Sequence, residues 1–408
     1  MPLTRLFSHP LPVVFESAKG VEVTDPEGKK YIDCLAAYSA VNQGHCHPKI
    51  VQAMIDQAQK LTLSSRAFYT NQLGPFCEYL TKFFGYESAL MANSGVEAVE
   101  TALKLARAWG YKSKGIPENQ GLTVCCDGNF HGRTLGVITM SSDPDCREPF
   151  GPFNGGFLNI PYDNLDAARE VFEKFGDRIN AFIAEPIQGE AGIFVPHDDF
   201  LPGVHELCKK HNCLFIMDEV QTGIARTGKL LATEYVGIKP DVVVLGKALS
   251  GGVVPVSAIL SSKEIMHVGF TPGSHGSTFG GNPVSCAVAR AALEVVKEEK
   301  LAERAMELGE YFREKVRALN SPHIELVRGR GLLNAVIIKP IEDKTAWHVC
   351  LLLKEHGVLA KPTHNHIIRF APPLVITKEQ INHVVEMFAK SLEEYATLKR
   401  TDIPGYDL

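Results

Sequence analysis

Apolar, β-branched runs alternate with amphipathic segments between about residues 85 and 260. The amphipathic segments at 96–109, 164–175 and 200–211 repeat apolar positions at helical spacing. The apolar runs are typical of buried parallel strands, and each of them ends at a polar position or a glycine. The runs lie at 89–93, 122–126, 181–185, 213–218 and 242–246. This alternation predicts βαβ units and an α/β fold with a mainly parallel sheet flanked by helices.

The pattern changes toward the C-terminus. Two long helices are predicted at 283–298 and 301–319, the second from apolar residues at helical spacing. Beyond them, shorter elements predict a smaller α+β unit, with strands around 324–338 and 366–371 and helices at 344–356 and 378–396.

A hairpin is predicted near the N-terminus, around the turn sequence Asp25-Pro26-Glu27-Gly28. We expect it to pair with the smaller C-terminal unit. The predicted organisation is therefore an N-terminal segment at 1–49 that contributes to the small domain, a large domain at 50–298 and a C-terminal small domain at 299–408.

Composition and charge exclude several classes of protein. A chain of 408 residues with 45% hydrophobic content can bury a large core. Its net charge of −5 and its lack of a lysine- or arginine-rich block argue against a nucleic-acid partner. No apolar run approaches the roughly 18 residues needed to cross a bilayer. The cytoplasm is the expected compartment, or the mitochondrial matrix if a presequence is missing.

The ten cysteines are scattered without repeated CxxC spacing, which favours free thiols over disulfides or zinc ligation. His45-Cys46-His47 has no second ligand pair at the spacing of a metal site, so no metal is predicted.

Lys247 and Asp218 each follow an apolar run, 29 positions apart in the chain. Both are expected at the carboxyl ends of parallel strands, where open α/β sheets bind ligands. A buried lysine loses its proton readily and can form a Schiff base, and a nearby carboxylate can hold a pyridine nitrogen protonated. These are the two protein groups that pyridoxal phosphate requires, although each residue alone is more often a surface or capping residue.

Other predicted strand ends carry further candidates. Ser94, Gly95 and Val96 open a helix whose first amides could bind a phosphate, or Ser94 could simply cap that helix. Phe130 could stack on a planar ring, with His131 beside it. Glu185 follows another strand.

Further residues that could bind cofactor or substrate lie elsewhere along the chain. Arg133 could grip a carboxylate, and Gln221 could donate a hydrogen bond to a ring hydroxyl or merely open a helix. Ser277 and Thr278 lie among glycines that allow close backbone approach to a ligand. Arg369 could close the site from the smaller unit.

Together these segments resemble the class III, fold-type I aminotransferases over about residues 10–375. The resemblance lies in the segments YSAVNQGHCHPKI, NSGVEAVETALKLAR, NFHGRTLG, EPIQGEAG, MDEVQTGIARTG, LGKALSGG, HGSTFGGNP, KPTH and IIRFAPPL. It implies a large domain with a mainly parallel seven-stranded sheet and a smaller α+β domain built from both termini. It also implies pyridoxal 5'-phosphate as the cofactor and a homodimer with cofactor sites at the subunit interface.

The same resemblance implies residue roles. Lys247 would carry the cofactor and Asp218 would pair with its pyridine nitrogen. The remaining cofactor contacts would come from Ser94, Gly95, Val96, Phe130, His131, Glu185, Val220 and Gln221, with Ser277 and Thr278 reaching the neighbouring subunit's phosphate. Tyr38, Arg133, Glu190 and Arg369 would bind substrate.

The implied reaction is transfer of the δ-amino group of ornithine to 2-oxoglutarate, which yields glutamate 5-semialdehyde and glutamate. Glu190 would pair with Arg369 while the terminal amine is bound and would move away for glutamate, and Arg133 would grip the far carboxylate of either substrate. Ser8 and His131 depart from the pattern of ornithine-specific members, which carry tyrosine and tryptophan there. N-acetylornithine or 4-aminobutyrate is therefore an alternative or additional substrate.

Other classes of activity are weighed against transamination. A protein that carries pyridoxal phosphate without turnover needs neither the two arginines nor the glutamate, so their presence argues against it. Racemase or decarboxylase activity on the same fold is a nearer alternative.

Overall fold

The computed structural model describes residues 10–407, which form three β-sheets and the helices around them. Three short strands open the described chain: β1 (Ser17–Lys19), β2 (Glu22–Thr24) and β3 (Lys30–Asp33). The chain reverses between β2 and β3, where Asp25 Oδ1 accepts hydrogen bonds from the amides of Glu27 and Lys29. This confirms the hairpin predicted around the Asp25–Gly28 turn.

The central sheet has seven strands. In chain order they are β4 (Ser88–Ala92), β5 (Leu122–Cys126), β6 (Phe157–Ile160), β7 (Ile179–Ala184), β8 (Leu214–Asp218), β9 (Val242–Leu245) and β10 (Ser257–Ser261). Their spatial order is β4-β10-β9-β8-β7-β5-β6. β5 to β9 pair in parallel, whereas β10 runs antiparallel to both of its neighbours, β4 and β9. The sheet is thus mainly parallel, as predicted, with one reversed strand.

Two of these strands, β6 and β10, were not among the predicted apolar runs. β10 has the sequence SAILS and is fully buried, but serines at both ends leave only three apolar residues between them. Each serine hydroxyl is satisfied by a backbone carbonyl, that of Ser257 by Ser94 and that of Ser261 by Asp241. The two serines can therefore be buried in the sheet, because backbone carbonyls from distant parts of the chain accept hydrogen bonds from their hydroxyls.

Thirteen α-helical segments are present among residues 10–407. They are α1 (Ala36–Ser39), α2 (Pro48–Ala58), α3 (Leu73–Phe84), α4 (Gly95–Lys112), α5 (Leu135–Ile138), α6 (Pro144–Arg147), α7 (Leu165–Phe175), α8 (Phe200–Lys210), α9 (Lys263–Gly269), α10 (Pro283–Glu298), α11 (Leu301–Ala318), α12 (Ala346–Glu355) and α13 (Lys378–Thr397). The seven predicted helices agree with α4, α7, α8 and α10 to α13, whereas α2 and α3 were not predicted.

The C-terminal part contributes five further strands: β11 (Ile324–Arg330), β12 (Leu333–Ile338), β13 (Val358–Leu359), β14 (Lys361–Thr363) and β15 (Ile367–Phe370). β11, β12, β15 and β14 form an antiparallel sheet in that spatial order. β13 instead pairs in parallel with β3, with Val358 opposite Ile32. The N-terminal hairpin therefore pairs with a C-terminal strand, as expected, and this pairing brings residues from both ends of the chain together.

Buried apolar side chains fill both faces of the central sheet. Val244 and Ile216 pack with α4 on one face, whereas Phe182 and Phe215 pack with α7 and α8 on the other. The ten cysteines are free thiols, in agreement with the prediction of no disulfides.

Candidate active site

Three titratable residues lie at the carboxyl edge of the central sheet. Glu185 directly follows β7, Asp218 ends β8, and Lys247 lies two residues after β9. These three strands are adjacent and parallel, in the order β9-β8-β7. The sheet thus brings two carboxylates and an amine to one edge, as predicted from the sequence.

A cavity of about 240 Å³ opens at this edge. Its volume lies just below the range of about 300–1,000 Å³ that is typical of drug-sized ligands, so it suits a single substituted ring. Nine of its eleven lining residues were predicted from the sequence, and Val99 and Gly132 were not. The lining residues are Gly95, Val96, Val99, Phe130, His131, Gly132, Glu185, Asp218, Val220, Gln221 and Lys247.

Lys247 begins a one-turn 3-10 helix, Lys247–Ser250, and adopts a left-handed backbone conformation with φ of 44°. Such strain in a non-glycine residue is concentrated at functional sites. Burial lowers the pKa of the Lys247 amine, with a smaller opposing contribution from the negative charge of Glu190. A lowered pKa makes the amine a better nucleophile and a better base near neutral pH.

Asp218 is held on both of its carboxylate oxygens. One oxygen accepts a hydrogen bond from the amide of Val220 at 3.0 Å, and the other lies 2.7 Å from Nδ1 of His131. Burial alone would lower the pKa of His131, but the hydrogen bond and negative charge of Asp218 outweigh it and raise this pKa. His131 Nε2 is buried without a partner among the described residues. His131 therefore orients the carboxylate that faces the cavity.

Glu185 anchors the loop that carries Phe130. Its carboxylate accepts hydrogen bonds from the amides of Phe130 at 3.0 Å and Gly189 at 3.1 Å. Burial and the charge of Asp218 raise the pKa of Glu185 to about 7, although His131 and the two amides oppose the shift. Glu185 thus fixes the position of the aromatic ring at the cavity wall.

The N-terminus of α4 also reaches the cavity. Ser94 caps the helix by accepting a hydrogen bond from the amide of Glu97, and the Glu97 carboxylate accepts from the amides of Asn93 and Ser94. The Ser94 hydroxyl is thus engaged in capping, whereas Gly95 and Val96 line the cavity. First-turn amides carry partial positive charge and favour a phosphate.

Close packing against this helix favours glycine at position 95. A Cβ there would approach the side chain of Val220 to 3.0 Å. Glycine at this position therefore lets the helix N-terminus lie directly against the loop that follows β8.

Glu190 and Arg369 form an ion pair beside the cavity. Arg369 donates from one nitrogen to Glu190 Oε1 at 2.8 Å and from another to the amide oxygen of Gln221. Gln221 in turn donates to Glu190 Oε1 at 3.2 Å. Burial alone would raise the pKa of Glu190, but the charge and hydrogen bond of Arg369 lower it to about 2. The predicted pairing of Glu190 with Arg369 is present, and Gln221 joins it.

Tyr38 covers this ion pair from an unusual backbone segment. All four residues of α1, Ala36–Ser39, have positive φ values between 47° and 70°, so α1 is a left-handed turn. Left-handed helical geometry costs roughly 1–2 kcal/mol per residue outside glycine. The strained turn places the Tyr38 ring 5.6 Å from the guanidinium of Arg369 and 5.1 Å from Nζ of Lys361. No sequence pattern predicted this turn or the position of Lys361.

Some predicted residues lie outside the cavity of the single chain. Arg133 is exposed, with its guanidinium 5.6 Å from the centroid of the Phe130 ring. Thr278 is also exposed, whereas Ser277 is half-buried and lines a neighbouring groove of about 500 Å³. Ser8 lies outside the described residues.

The cavity fits pyridoxal phosphate on several independent grounds. An amine with a lowered pKa, a carboxylate held by two donors and an aromatic ring surround a space suited to one substituted ring. The N-terminus of α4 supplies a phosphate site. The unpartnered Nε2 of buried His131 is a further polar group for which a bound cofactor could provide a contact.

Within residues 10–407, no group of three or more histidine, cysteine, aspartate or glutamate side chains is arranged to hold a metal ion. None of the helices there combines the length and apolar character needed for a membrane span.

Comparison with known proteins gives consistent matches along the chain. The model of the family Aminotransferase class-III matches residues 6–392. Ornithine aminotransferase car2 of Schizosaccharomyces pombe is 56% identical over 403 residues, covering 96% of this chain and 92% of that protein.

Solved structures show the same likeness. An ornithine aminotransferase from Toxoplasma gondii superposes with a TM-score of 0.92 at 45% identity, covering 95% of this chain and 91% of that one, and partial occupancy of PLP is described at its active site. An acetylornithine aminotransferase from Elizabethkingia anophelis gives a TM-score of 0.86 at 52% identity, covering 95% of both chains.

Proposed function

The chain belongs to the class-III aminotransferases, and we propose that it transfers the δ-amino group of ornithine to 2-oxoglutarate, with pyridoxal phosphate as cofactor. The products are glutamate 5-semialdehyde, which cyclises to pyrroline-5-carboxylate, and glutamate. The observation that carries this proposal is the ion pair of Glu190 and Arg369 at 2.8 Å beside the cavity that Lys247 enters. Relatives named ornithine aminotransferase, at 52–56% identity, support it.

The residues that would hold the cofactor surround the cavity. Lys247 would bind it covalently, Asp218 would hold a proton on the pyridine nitrogen, and the amides of Gly95 and Val96 would bind the phosphate. Phe130 would stack on the ring. When bound, the cofactor accepts electrons from the amine-bearing carbon of the substrate and so weakens its C–H bond.

Lys247 is the residue placed to move the proton of that carbon. Its lowered pKa increases the neutral fraction of the amine, so it can take a proton and return it elsewhere as a general base and acid. His131 and the amide of Val220 keep Asp218 oriented throughout, because both are hydrogen-bonded to its carboxylate.

The two half-reactions present the site with different charges. Glutamate brings a carboxylate next to its reacting amine, whereas ornithine brings only a methylene group there. An unpaired buried arginine would cost on the order of 2–5 kcal/mol. Glu190 therefore pairs with Arg369 while ornithine reacts and leaves it for the glutamate carboxylate, and Arg133 at the rim would bind the far carboxylate of either substrate.

We also propose that the enzyme is a homodimer with cofactor sites at the interface. Thr278 is exposed in the single chain, and beside it Phe279 is 56% exposed, so this loop presents polar and apolar groups to a partner. Ser277 and Thr278 would reach the phosphate in the partner subunit. Sedimentation equilibrium of the wild type and of Phe279→Asp tests this; a monomeric wild type would overturn it.

A panel of half-reactions tests the function. Ornithine, N-acetylornithine, lysine and 4-aminobutyrate are each mixed with the holoenzyme, and the cofactor spectrum is followed. We expect the fastest amine-dependent spectral exchange with ornithine, reversal by 2-oxoglutarate, and pyrroline-5-carboxylate as product. A spectral change that 2-oxoglutarate does not reverse would indicate racemisation or decarboxylation instead.

N-acetylornithine transamination is the second candidate, favoured by one feature of the site. His131 lies where ornithine-specific members carry tryptophan, and the acetylornithine aminotransferase from E. anophelis is 52% identical. Faster exchange with N-acetylornithine than with ornithine would favour this candidate. The proposed compartment is the cytoplasm, which fractionation against a mitochondrial marker tests, because some relatives are named as mitochondrial.

A further inference from the structure

Two cationic residues lie directly opposite each other beside the cavity. β14 pairs antiparallel with β15, and the register places Lys361 opposite Arg369. Side chains that are directly opposite in such a pair project from the same face of the sheet, and like charges there are destabilising. The chain therefore maintains an unfavourable charge pair at this position.

The two cations are not equivalent in their contacts. Both lie over the ring of Tyr38, Lys361 at 5.1 Å and Arg369 at 5.6 Å. Arg369 is wholly buried and is paired with Glu190. Lys361 is only partly buried, and its amine has no ion-pair partner within residues 10–407. The Glu190 carboxylate thus lies near both cations and is ion-paired with Arg369 alone.

A displaced Glu190 needs a new partner. When a carboxylate from glutamate takes Arg369, the side chain of Glu190 must turn away within a partly buried site. A carboxylate left unpaired there would be costly, and Arg369 cannot follow it because its side chain is enclosed. Lys361 has a flexible four-carbon stem and a compact ammonium, so it can adjust to a moving partner.

The electrostatic surroundings of Glu190 agree with this arrangement. The positive charge of Lys361 contributes to the lowered pKa of Glu190, after the contributions of Arg369 and Lys247. Lys361 therefore already stabilises the ionised carboxylate from a distance while Glu190 is paired with Arg369.

Resting on the proposed function, we propose that Lys361 is a positioning residue that receives the carboxylate of Glu190 when glutamate displaces it from Arg369. The two cations on adjacent strands then serve the two half-reactions in turn. With ornithine bound, Glu190 stays on Arg369. With glutamate bound, Glu190 moves to Lys361 and Arg369 is freed for the substrate.

The test compares the two half-reactions in holoenzyme variants. We expect Lys361→Met to lower kcat/KM of the glutamate half-reaction about fivefold, the size expected of an ion pair open to solvent, and to change the ornithine half-reaction less than about twofold. Lys361→Arg should restore the glutamate half. Lys239→Met is the matched control, because Lys239 makes a similar contact with Tyr86 at 4.8 Å outside the cavity lining.

A double-mutant cycle separates positioning from packing. In a Glu190→Ala background, Lys361→Met should have no further effect on the glutamate half-reaction, because no carboxylate remains to be received. Equal losses in both half-reactions, or the same loss with and without Glu190, would overturn the proposal. If the wild-type enzyme turns over glutamate but not ornithine, the proposed amine donor is wrong. The effect of Lys361→Met on the glutamate half-reaction would still test the role of Lys361.

Discussion

The Glu190 carboxylate and the Arg369 guanidinium lie 2.8 Å apart, and the arginine side chain has no exposed surface. The pair connects the loop after β7 with strand β15 of the small sheet, so it joins two separate parts of the fold. In the proposed mechanism a substrate carboxylate replaces Glu190 as the partner of Arg369, and this exchange would let one site accept two substrates of different charge.

Glu190→Ala is expected to impair the ornithine half-reaction more than the glutamate half, by about tenfold or more. Without Glu190, buried Arg369 has no partner unless a carboxylate binds there, and ornithine would be drawn into an unproductive orientation. Stopped-flow spectra of each half-reaction measure the difference. Glu310→Ala is the control, because Glu310 pairs with Arg313 at 2.7 Å away from the cavity. Equal losses in the two halves would contradict the prediction.

His131→Phe is expected to weaken cofactor binding about five- to twentyfold. The substitution removes a hydrogen bond to a charged carboxylate, which is worth about 1.5 kcal/mol, while keeping an aromatic ring. Titration of the apoenzyme with pyridoxal phosphate, followed by absorbance, gives the affinity. The control is His197→Phe, which removes an exposed contact with Asp163 at 2.6 Å. Unchanged affinity in His131→Phe would show that Asp218 needs no support from this histidine.

The sequence was informative where local pattern determines structure. Helix α10 was predicted at its observed bounds, and in the structure Asn282 caps it and Pro283 begins it, as is typical of helix starts. Lys247, Asp218 and Glu185 were predicted to meet because the carboxyl ends of neighbouring parallel strands lie at one edge.

Features that depend on tertiary contacts were not predictable. The position of Lys361 beside Arg369 follows from the register of a short hairpin, and nothing in its local sequence marks it. The left-handed turn that carries Tyr38 contains no glycine, so no residue type signalled it. Arg133 was expected to grip a substrate carboxylate, and its exposure in the single chain leaves that role a prediction.

Glu185→Gln is expected to change the pH dependence of stability. Because the folded pKa of Glu185 is about 7 and its ordinary value is 4.5, this carboxyl stabilises the fold below pH 4.5 and loses that contribution as pH rises to about 7. The variant lacks this loss, so its stability relative to wild type should increase by about 2–3 kcal/mol between pH 5 and pH 8. Urea unfolding of the apoenzymes measures it; a difference that does not vary with pH would contradict it.

Arg226→Met is expected to lower the free energy of unfolding by about 2–4 kcal/mol. Fully buried Arg226 donates to the carbonyls of Leu332 at 2.9 Å and Pro372 at 2.6 Å and to the side chain of Asn42. It thereby links the N-terminal segment, the loop after β8 and the C-terminal part, and methionine would leave those acceptors unpaired. Urea unfolding provides the value, with the exposed Arg169→Met as control. A loss below about 1 kcal/mol would contradict this role.

The identity of the cofactor-bound lysine is the central claim, and borohydride reduction tests it directly. The protein is incubated with pyridoxal phosphate, reduced, digested and mapped by mass spectrometry. We predict that the wild type carries one stoichiometric label, on Lys247. The Lys247→Ala variant should carry no label on any lysine under the same conditions. Absence of the label from Lys247 in folded protein, or equal labelling of several lysines, would contradict the account.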